Sequence, residues 1–566
     1  MTLQEILYHS ALLSHQSVQL ILVLCAVYLV LESISTIRLW LQRCRLVREY
    51  GCQPVAHSVG SWPLGLNAIL EEKRANEAND LPTLMDERFN KYGHTLGISG
   101  LRHMKYITCE PRIVQTVLST HFGNFPKRPL ITVASTFLGD HSIFMLDGPK
   151  WEHARAMLKP QFARDQVADF TDLEKHVERF LTRAYPFPLT NAEIKGESKQ
   201  VAFTTDIQPL IFDLLFDSVT ENLLGESADT QLRKEAGLAD DVIAFENAVE
   251  LAAQVAAIQV GLGKLYSWLE MNIKYSQACK TNFEYVRPYV EKALHLHSMK
   301  MRAAHTLANG GKETSKAKKW VALNELAAVD EDLTQSKAFK DALASHAISL
   351  LVAGRDTTSA MLSWAIHLLA RNPQVYSKLR QEILKAFNKD NGSMQLPDYP
   401  TLKALPYVRW VLKETLRLYP VVTVNERIAN KDTVLPIGGG PDGQAPLLLK
   451  AGEGIAWSLH SMHRRKDLYG DDAAEFRPER WGEDKKGQGL RTIGWGYLPF
   501  HGGPRTCMGQ QRALNEGSYI LARIAQTFSA IQVSDDIDIE KDRPQFKMTI
   551  TTTSSNGVWV KLTKAA

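Results

Sequence analysis

One cysteine near the C-terminal end stands where a metal-binding thiolate could form. In the segment LPFHGGPRTCMGQQRAL, residues 498–514, Cys507 follows a glycine-rich turn and precedes a helical pattern. Turn amides and the positive end of a helix stabilise a thiolate, and Arg505 could form a charge-assisted hydrogen bond with a carboxylate of the same ligand. Free cysteine is also among the most buried residue types, so this segment alone leaves a structural role open.

Two other motifs place polar groups at helical spacing. In KETLRLYP, Glu414 and Arg417 lie three residues apart and share one helix face. In LLVAGRDTTSAMLSW, Ala353 and Gly354 are small enough for a helix to pass close to a flat ligand, and Thr357 can hydrogen-bond the carbonyl four residues earlier and open the helix locally. A surface ion pair and a threonine without function are the structural alternatives.

The motifs, taken together and in this order, resemble those of the cytochrome P-450 monooxygenases. Haem is a ligand that accepts one axial thiolate and also carries carboxylates, so it satisfies both groups of the cysteine segment. The positions that match the family's haem-binding loop are Phe500, Gly503, Arg505, Cys507, Gly509 and Ala513. The resemblance covers the chain after its N-terminal segment, and it implies the cytochrome P-450 fold, which is mainly α with a minor β region.

The resemblance also assigns expected roles to residues along the chain. Cys507 is the expected axial ligand to the iron of haem b, and Asp356 and Thr357 are expected to deliver protons to bound oxygen. The other expected cofactor contacts are Trp151 and Arg155 of DGPKWEHARAMLKPQF, Ala353, Gly354, Arg427 of NERIA, Phe500, Gly503, Arg505 and Gly509. Glu414, Arg417 and Arg480 of FRPERW are the expected structural triad, whose disruption would leave an uncompensated buried charge.

One position departs from the pattern of the family. His501 stands where relatives often carry a small polar residue. It could compete for iron, but it lies in the turn before Cys507, so we expect the thiolate to remain the ligand.

The resemblance implies insertion of one oxygen atom from O2 into a C–H bond of a hydrophobic substrate. Segments such as HRRKDLYGDDAAEFRPERW and YLPFHGGPRTCMGQQ look like those of the fungal alkane and fatty-acid hydroxylases, which predicts oxidation at or near a chain end. A tailoring hydroxylase of a fungal secondary-metabolite pathway is the alternative, because haem-site motifs do not fix the substrate. The sequence after the cysteine helix is too short for a fused flavin domain, so we expect a separate NADPH-dependent flavoprotein reductase.

Two other classes of haem protein remain as alternatives. A gas sensor or electron carrier would not need the Asp356–Thr357 pair, and a haem isomerase that works without a reductase often lacks the threonine. The pair therefore favours a monooxygenase.

The N-terminal segment predicts a membrane anchor for the haem-binding part of the chain. Residues 18–31 read VQLILVLCAVYLVL, and apolar flanks extend the stretch to residue 37, close to the length that spans a bilayer. Four arginines follow at Arg38, Arg43, Arg45 and Arg48, which by the positive-inside rule places the body on the cytosolic side. We expect a single-pass protein of the endoplasmic reticulum membrane. A signal peptide and a buried helix are the alternatives, but a basic start and a small-residue cleavage site are both missing.

The sequence divides into four regions on this interpretation. Residues 1–17 form an N-terminal lead, 18–37 the anchor, 38–65 a basic and Pro/Gly-rich hinge, and 66–566 the haem-thiolate domain. Apolar spacing predicts helices at 202–224, 238–270, 341–369 and 373–387, with short strands at 106–109 and 549–553. The polar, Lys-rich segment 299–333 reads as a connection between helices.

Composition excludes several other functions. A net charge of +4 over 566 residues gives no support for nucleic-acid binding, and the six scattered cysteines form neither a disulfide framework nor a zinc site. The glycines of GGGPDG, residues 438–443, have dinucleotide-loop spacing, but no helix can follow readily, so we expect a hairpin turn. Phosphate-loop, zinc-protease and nucleophile-elbow motifs are missing from the sequence.

Overall fold

The computed structural model describes residues 3–60, 65–99, 104–127, 135–186, 202–262, 273–308, 321–328, 336–389, 393–482, 490, 493–538 and 543–565. Within these ranges the chain is mainly helical and carries short strands in small sheets. The predicted fold class, mainly α with a minor β region, is therefore confirmed.

The helices follow one another along most of the chain. They are α1 Leu3–Tyr50, α2 Leu66–Glu77, α3 Leu81–Tyr92, α4 Pro111–Gln115, α5 Ser135–Leu138, α6 Gly148–Leu158, α7 Arg164–Val167, α8 Thr171–Ala184, α9 Ile207–Leu224, α10 Thr230–Glu235, α11 Asp240–Leu262, α12 Ile273–Ala308, α13 Ala322–Ala327, α14 Lys337–Arg371, α15 Pro373–Phe387, α16 Tyr399–Ala404, α17 Pro406–Leu418, α18 Leu459–Met462, α19 Lys466–Tyr469 and α20 Gln510–Thr527. A π-helical turn, Thr116–Thr120, continues α4, and short 3-10 turns include Gly494–Gly496 and Gly503–Arg505.

The strands pair into four sheets within the described residues. They are β1 Ser58–Val59, β2 Thr95–Ser99, β3 Met104–Thr108, β4 Ala202–Asp206, β5 Val424–Ile428, β6 Thr433–Gly439, β7 Ala445–Leu449, β8 Gly454–Ser458, β9 Phe528–Val533, β10 Phe546–Met548, β11 Thr552–Ser554 and β12 Trp559–Lys564. The largest sheet has the order β1-β2-β3-β8-β5, with parallel pairs β1/β2 and β3/β8. Strands β4, β12 and β9 form an antiparallel sheet, and β6/β7 and β10/β11 are hairpins.

Helix α14 runs through the centre of the body. It begins where the Ser336 side chain accepts a hydrogen bond from the Phe339 N–H, which satisfies one of the free amides of the first turn. It ends before Pro373, which cannot continue a helix and instead begins α15. Its first half packs into one apolar core with α11 and α12, and its second half into another with α17 and α20. Because this helix is buried along most of its length, the position of each of its side chains is tightly fixed.

The N-terminal helix continues from the apolar segment to the body of the protein. Residues Gln19–Tyr50 form the one helix among the described residues that is long and apolar enough to cross a membrane, with a hydropathy of 2.3 in its most apolar window. Residues 38–50, which the sequence places in a hinge, are helical. Arg43 pairs with Asp432 through bonds of 2.8 and 3.1 Å, so the end of the helix is attached to the start of β6.

Most predicted elements are found, with shifted boundaries. The helix 373–387 is confirmed, and α14 extends the predicted helix 341–369 at both ends. The predicted helix 238–270 is found as α11, Asp240–Leu262, and the ten residues after it lie outside the described ranges. Residues 202–206 were predicted helical but form β4, because they pair with β12. The predicted connection at 299–333 is wrong for residues 299–308, which end α12, and for α13, while residues 309–320 and 329–333 lie outside the described ranges.

The two short strand predictions and the glycine-rich turn correspond to real elements. Strand β3 covers most of 106–109, and β11 overlaps 549–553. The GGGPDG turn joins β6 to β7, where Gly439 pairs with Ala445, and the hairpin is confirmed.

Candidate active site

The cysteine loop is fixed by one very close contact between backbones. Gly503 has φ of 69°, and a Cβ atom at this position would lie 1.9 Å from the Leu118 carbonyl oxygen. Only glycine fits there, because it tolerates positive φ and has no side chain. The Cys507 N–H then donates to the Phe500 carbonyl at 3.0 Å, which closes the loop immediately before α20.

The loop presents the Cys507 thiol with partners that favour its anion. The side chain is solvent-accessible, yet displacement of water by the surrounding protein raises the pKa of the thiol. Hydrogen bonds from the Gly509 and Gln510 backbone amides and the charge of Arg155 act in the opposite direction. Gly509 stands directly before α20, and a Cβ there would meet Phe162 and the Cys507 Sγ only at ordinary contact distance.

Helix α6 brings Trp151 and Arg155 to this loop. Arg155 donates to the Thr506 carbonyl at 2.9 Å. Arg505 lies over the Trp151 ring, with its guanidinium carbon 4.3 Å from the ring centroid, and it donates to the Leu146 carbonyl at 2.9 Å and to the Asp147 carboxylate. The structure thus places Trp151, Arg155 and Arg505 together, as the resemblance implies.

Further cationic groups surround Arg505. Arg427 on β5 is almost fully buried, and burial together with the charge of Arg505 lowers its pKa to about 10. Burial and the charges of Arg427 and Arg505 lower the pKa of Lys127 to about 7. Sequence reasoning did not find Lys127, because its segment carries no motif of its own and only the fold brings it here.

His501 faces the same group of cations and contacts the Trp457 ring, with 5.8 Å between ring centroids. Both ring nitrogens are buried without a hydrogen bond among the described residues. Burial and the charges of Arg427 and Lys127 lower the pKa of the imidazole to about 3, so the ring is neutral at physiological pH. The backbone of His501 also has φ of 65°, which is unusual for a residue other than glycine.

This donor set fits a ligand that carries carboxylates and binds a thiolate. Four cations, Arg155, Arg427, Arg505 and Lys127, have few counter-charges among the described residues: Asp147 pairs with Arg505 and acts on Arg427 and Lys127, and the Cys507 thiolate acts on Arg155. Buried charges require partners, and a dianionic group next to Cys507 would supply them. The residues present therefore fit haem, with its two propionates on the cationic side.

The central part of α14 carries the predicted residues Ala353, Gly354, Asp356 and Thr357. Residues 353–357 are half-buried, whereas the residues on both sides of them in the helix are buried. The Thr357 hydroxyl donates to the Ala353 carbonyl at 2.6 Å, as its position in the helix predicts. The helix nevertheless remains continuous through Lys337–Arg371, so the predicted local opening is not present. A Cβ at Gly354 would lie 2.7 Å from Val219, so this glycine permits close packing of α14 on α9; its contact with a cofactor stays a prediction.

Asp356, next to Thr357, lies in a network of charges. Burial raises the pKa of its carboxyl group, the Glu246 and Glu250 carboxylates raise it further, and Arg355 lowers it. Arg355 donates to Asp356 at 3.3 Å and to Glu246 at 2.7 Å. Sequence reasoning found Asp356 but neither Arg355 nor Glu246.

The predicted triad is assembled around the Glu414 carboxylate. Arg417 donates to its two oxygens at 2.9 and 2.8 Å, and Arg480 donates at 2.7 Å. The Trp481 indole N–H also donates to this carboxylate at 3.0 Å, and the Arg477 backbone N–H donates to it at 3.1 Å. The motif did not indicate these two contacts. Both members on α17 are completely buried.

Arg417 extends this cluster to other loops. It donates to the carbonyls of His463 at 2.8 Å, Ala473 at 2.6 Å and Glu475 at 3.0 Å. The cluster therefore ties α17 to the segments that lead to the cysteine loop.

Comparison with known proteins gives a consistent result. A family model described as Cytochrome P450 matches residues 60–557. The relatives include Cytochrome P450 monooxygenase g430 of a Fusarium species, 35% identical over 516 residues, which are 90% of this chain and 85% of the relative. Cytochrome P450 52A10 of Candida maltosa is 35% identical over 501 residues, 87% of this chain and 89% of the relative. Cytochrome P450 52A13 of Debaryomyces hansenii is 36% identical over 463 residues, 81% of each chain.

Proposed function

This chain belongs to the cytochrome P450 family, and on that premise we propose that it hydroxylates a fatty acid or an alkane-like chain at or near its end. The activity of the family is monooxygenation with haem b, cysteine thiolate ligation and electrons from a reductase. When bound, the haem supplies the activation of dioxygen and the oxidation of the C–H bond. The observation that carries the haem-thiolate part of this proposal is the Cys507 loop closed on Leu118, next to the buried Arg427 and the half-buried Lys127.

The chain's own residues hold the cofactor in this proposal. Cys507 is the iron ligand, and the Gly509 and Gln510 amides stabilise its thiolate. The propionates are bound by Trp151, Arg155, Arg427 and Arg505, to which the structure adds Lys127 as a neighbour. Phe500 and Gly503 shape the loop, and in this proposal Ala353 and Gly354 of α14 allow the helix to pass close to the cofactor.

Asp356 and Thr357 move protons in this proposal. Because the Thr357 hydroxyl donates its hydrogen to Ala353, its oxygen is left to accept a proton or a hydrogen bond from the site. The raised pKa of Asp356 allows its carboxyl group to be protonated closer to neutral pH than an exposed carboxyl. The Glu414, Arg417 and Arg480 triad has a structural role.

The substrate class rests on similarity rather than on the haem-site geometry. The segments around the haem site resemble alkane and fatty-acid hydroxylases, and four relatives named 52A are 34–36% identical. The relatives g430, fsdH and alt2 are 33–35% identical. A tailoring hydroxylase of a secondary-metabolite pathway is therefore the second candidate, favoured by the equal similarity of these differently named monooxygenases.

One experiment distinguishes the two candidates. Microsomes containing the protein and a reductase are incubated with alkanes, fatty acids and a cell extract, and products heavier by one oxygen atom are identified by mass spectrometry. Hydroxylated chain ends support the proposal. Oxidation of an extract component alone, with alkanes and fatty acids unchanged, contradicts it and supports the second candidate.

We also propose the cellular arrangement. The apolar helix anchors the protein in a membrane, which we take to be that of the endoplasmic reticulum, with the body facing the cytosol because Arg38, Arg43, Arg45 and Arg48 follow the apolar stretch. The electron donor is a separate NADPH-dependent flavoprotein reductase. The anchor is assigned to residues 18–37 and the catalytic domain to residues 66–566, with a helical connection at residues 38–50 that the Arg43–Asp432 pair holds against the body.

A further inference from the structure

The Arg355 guanidinium is shared unequally between two carboxylates. It is 2.7 Å from Glu246 on α11 and 3.3 Å from Asp356, its neighbour on α14. Its carbon also lies 5.1 and 5.4 Å from the ring centroids of Phe212 and Phe216 on α9. The cation is therefore directed toward α9 and α11, and it makes its shorter charge-assisted bond with Glu246.

Glu246 is itself held in position from the opposite side. Lys234 on α10 donates to its second oxygen at 2.8 Å and to Asp213 at 2.6 Å. Asp213 in turn accepts from Arg183 at 2.9 Å. Charges of alternating sign thus extend from Asp356 across α11, α10, α9 and α8, so Glu246 cannot easily release Arg355.

We propose that Glu246 is a positioning residue for proton delivery: it holds Arg355 toward α11, so that the neighbouring Asp356 carboxyl is only weakly paired with Arg355 and can carry a proton toward Thr357. This inference rests on the proposed role of Asp356 as the proton donor. The proton leaves the Asp356 oxygen toward the Thr357 hydroxyl, and solvent replaces it, so the residue ends each cycle unchanged. Without Glu246, Arg355 would pair fully with Asp356 and hold it as a carboxylate.

The charged groups that face Asp356 act on its pKa in opposite directions. Arg355 favours the carboxylate, whereas Glu246 and Glu250 on α11 disfavour it. Lys234 acts on Glu246, and Lys547 on β10 acts on Glu250 at 2.6 Å. Removing Glu246 removes a repelling charge and frees Arg355, and both changes lower the pKa of Asp356. Removing Arg355 has the opposite effect, since a nearby charge shifts a carboxyl pKa by about 1–3 units.

The test compares variants across a pH series in the full-length, membrane-bound enzyme with its reductase. Product formed per NADPH consumed is measured for wild type, Glu246→Gln, Glu246→Asp and Arg355→Gln. We expect the pH of half-maximal coupling to fall by about one unit or more in Glu246→Gln and to rise in Arg355→Gln. Glu246→Asp, which keeps the charge, should restore a large part of the wild-type profile.

A matched control separates the pairing from the charge alone. Glu250 lies one turn further along α11 and does not bond Arg355, so Glu250→Gln removes a carboxylate near Asp356 without releasing the guanidinium. Its profile should shift less than that of Glu246→Gln. Equal shifts, or shifts of the same sign in Glu246→Gln and Arg355→Gln, would overturn the inference.

A spectroscopic readout makes the test independent of turnover. The infrared C=O stretch of a protonated carboxyl that is lost in Asp356→Asn identifies Asp356, and its midpoint should move down in pH in Glu246→Gln and up in Arg355→Gln. Asp356→Asn also tests the underlying proposal: normal coupling in that variant refutes its role as donor. Impaired coupling in Asp356→Asn together with unmoved midpoints in both other variants refutes only the role of Glu246.

Discussion

Replacement of Glu414 by glutamine should strongly destabilise the protein. The Glu414 carboxylate is completely buried and accepts five hydrogen bonds, two from Arg417 and one each from Arg480, Trp481 and the Arg477 backbone. Glutamine keeps the shape of the side chain but loses its charge. Its amide NH2 group is a hydrogen-bond donor and would face the N–H donors that now bind a carboxylate oxygen. Arg417 then loses its carboxylate partner, and Arg480 keeps only that of Asp472.

The size of the effect follows from these contacts. Removing one partner of a buried ion pair costs about 3–5 kcal/mol, because the remaining charge stays desolvated. Arg417 keeps its bonds to three carbonyls and Arg480 its bonds to Asp472, which offsets part of this cost. We therefore expect a loss of about 3 kcal/mol in the free energy of unfolding, together with reduced haem content, since Arg417 ties α17 to the segments before the cysteine loop.

Urea-induced unfolding, followed by circular dichroism and by haem absorbance, measures this loss. Asp535→Asn is the matched control, because it also removes one carboxylate from an ion pair, here with Lys561, but at the surface, where such pairs contribute about 0–1 kcal/mol. A Glu414→Gln protein that loses less than about 1 kcal/mol and retains full haem would refute the argument that this buried network holds the fold together.

Three further predictions follow from the site and the anchor. Thr357→Ala should consume NADPH while releasing peroxide in place of product, and coupling at the wild-type level would refute the role of the hydroxyl in proton transfer. Gly503→Ala should lower haem content because its Cβ meets the Leu118 carbonyl, whereas Gly452→Ala, with φ of 87° and open space, imposes backbone strain alone; equal haem content in the two variants would contradict the packing argument. Deletion of residues 1–42 should release much of the protein from membranes in a flotation assay, and full retention would reveal another membrane-binding surface.

The sequence predicted features that are encoded locally. The Cys507 loop, the Glu414/Arg417 pair and the Asp356/Thr357 pair are short motifs, and helix 373–387 is bounded by a proline and a clear apolar pattern. Their residue types and spacings were sufficient to indicate the fold class and the family. The helical patterns showed which motifs lie on helices, but the assignment to a family rested on the motifs themselves.

Features that depend on contacts distant in the sequence could not be predicted in this way. Lys127 lies close enough to Arg427 and Arg505 for their charges to act on it, although both arginines are far away in the sequence. Glu246 reaches Arg355 across 109 residues, and residues 202–206 became a strand because β12 lies beside them. Gly503 was identified from the loop motif, but the Leu118 carbonyl, whose close approach requires glycine at this position, lies far away in the chain.

The identity of the iron ligand is the most direct test of the account. The reduced protein with carbon monoxide should show the Soret band of a thiolate-ligated haem, and Cys507→His should convert it to the band of an imidazole-ligated haem. Circular dichroism of the variant checks that its helices are retained, and His501→Gln in the wild-type background should leave the thiolate band in place. An unchanged spectrum in Cys507→His, in a folded protein that binds haem, would contradict the assignment of Cys507 as the ligand.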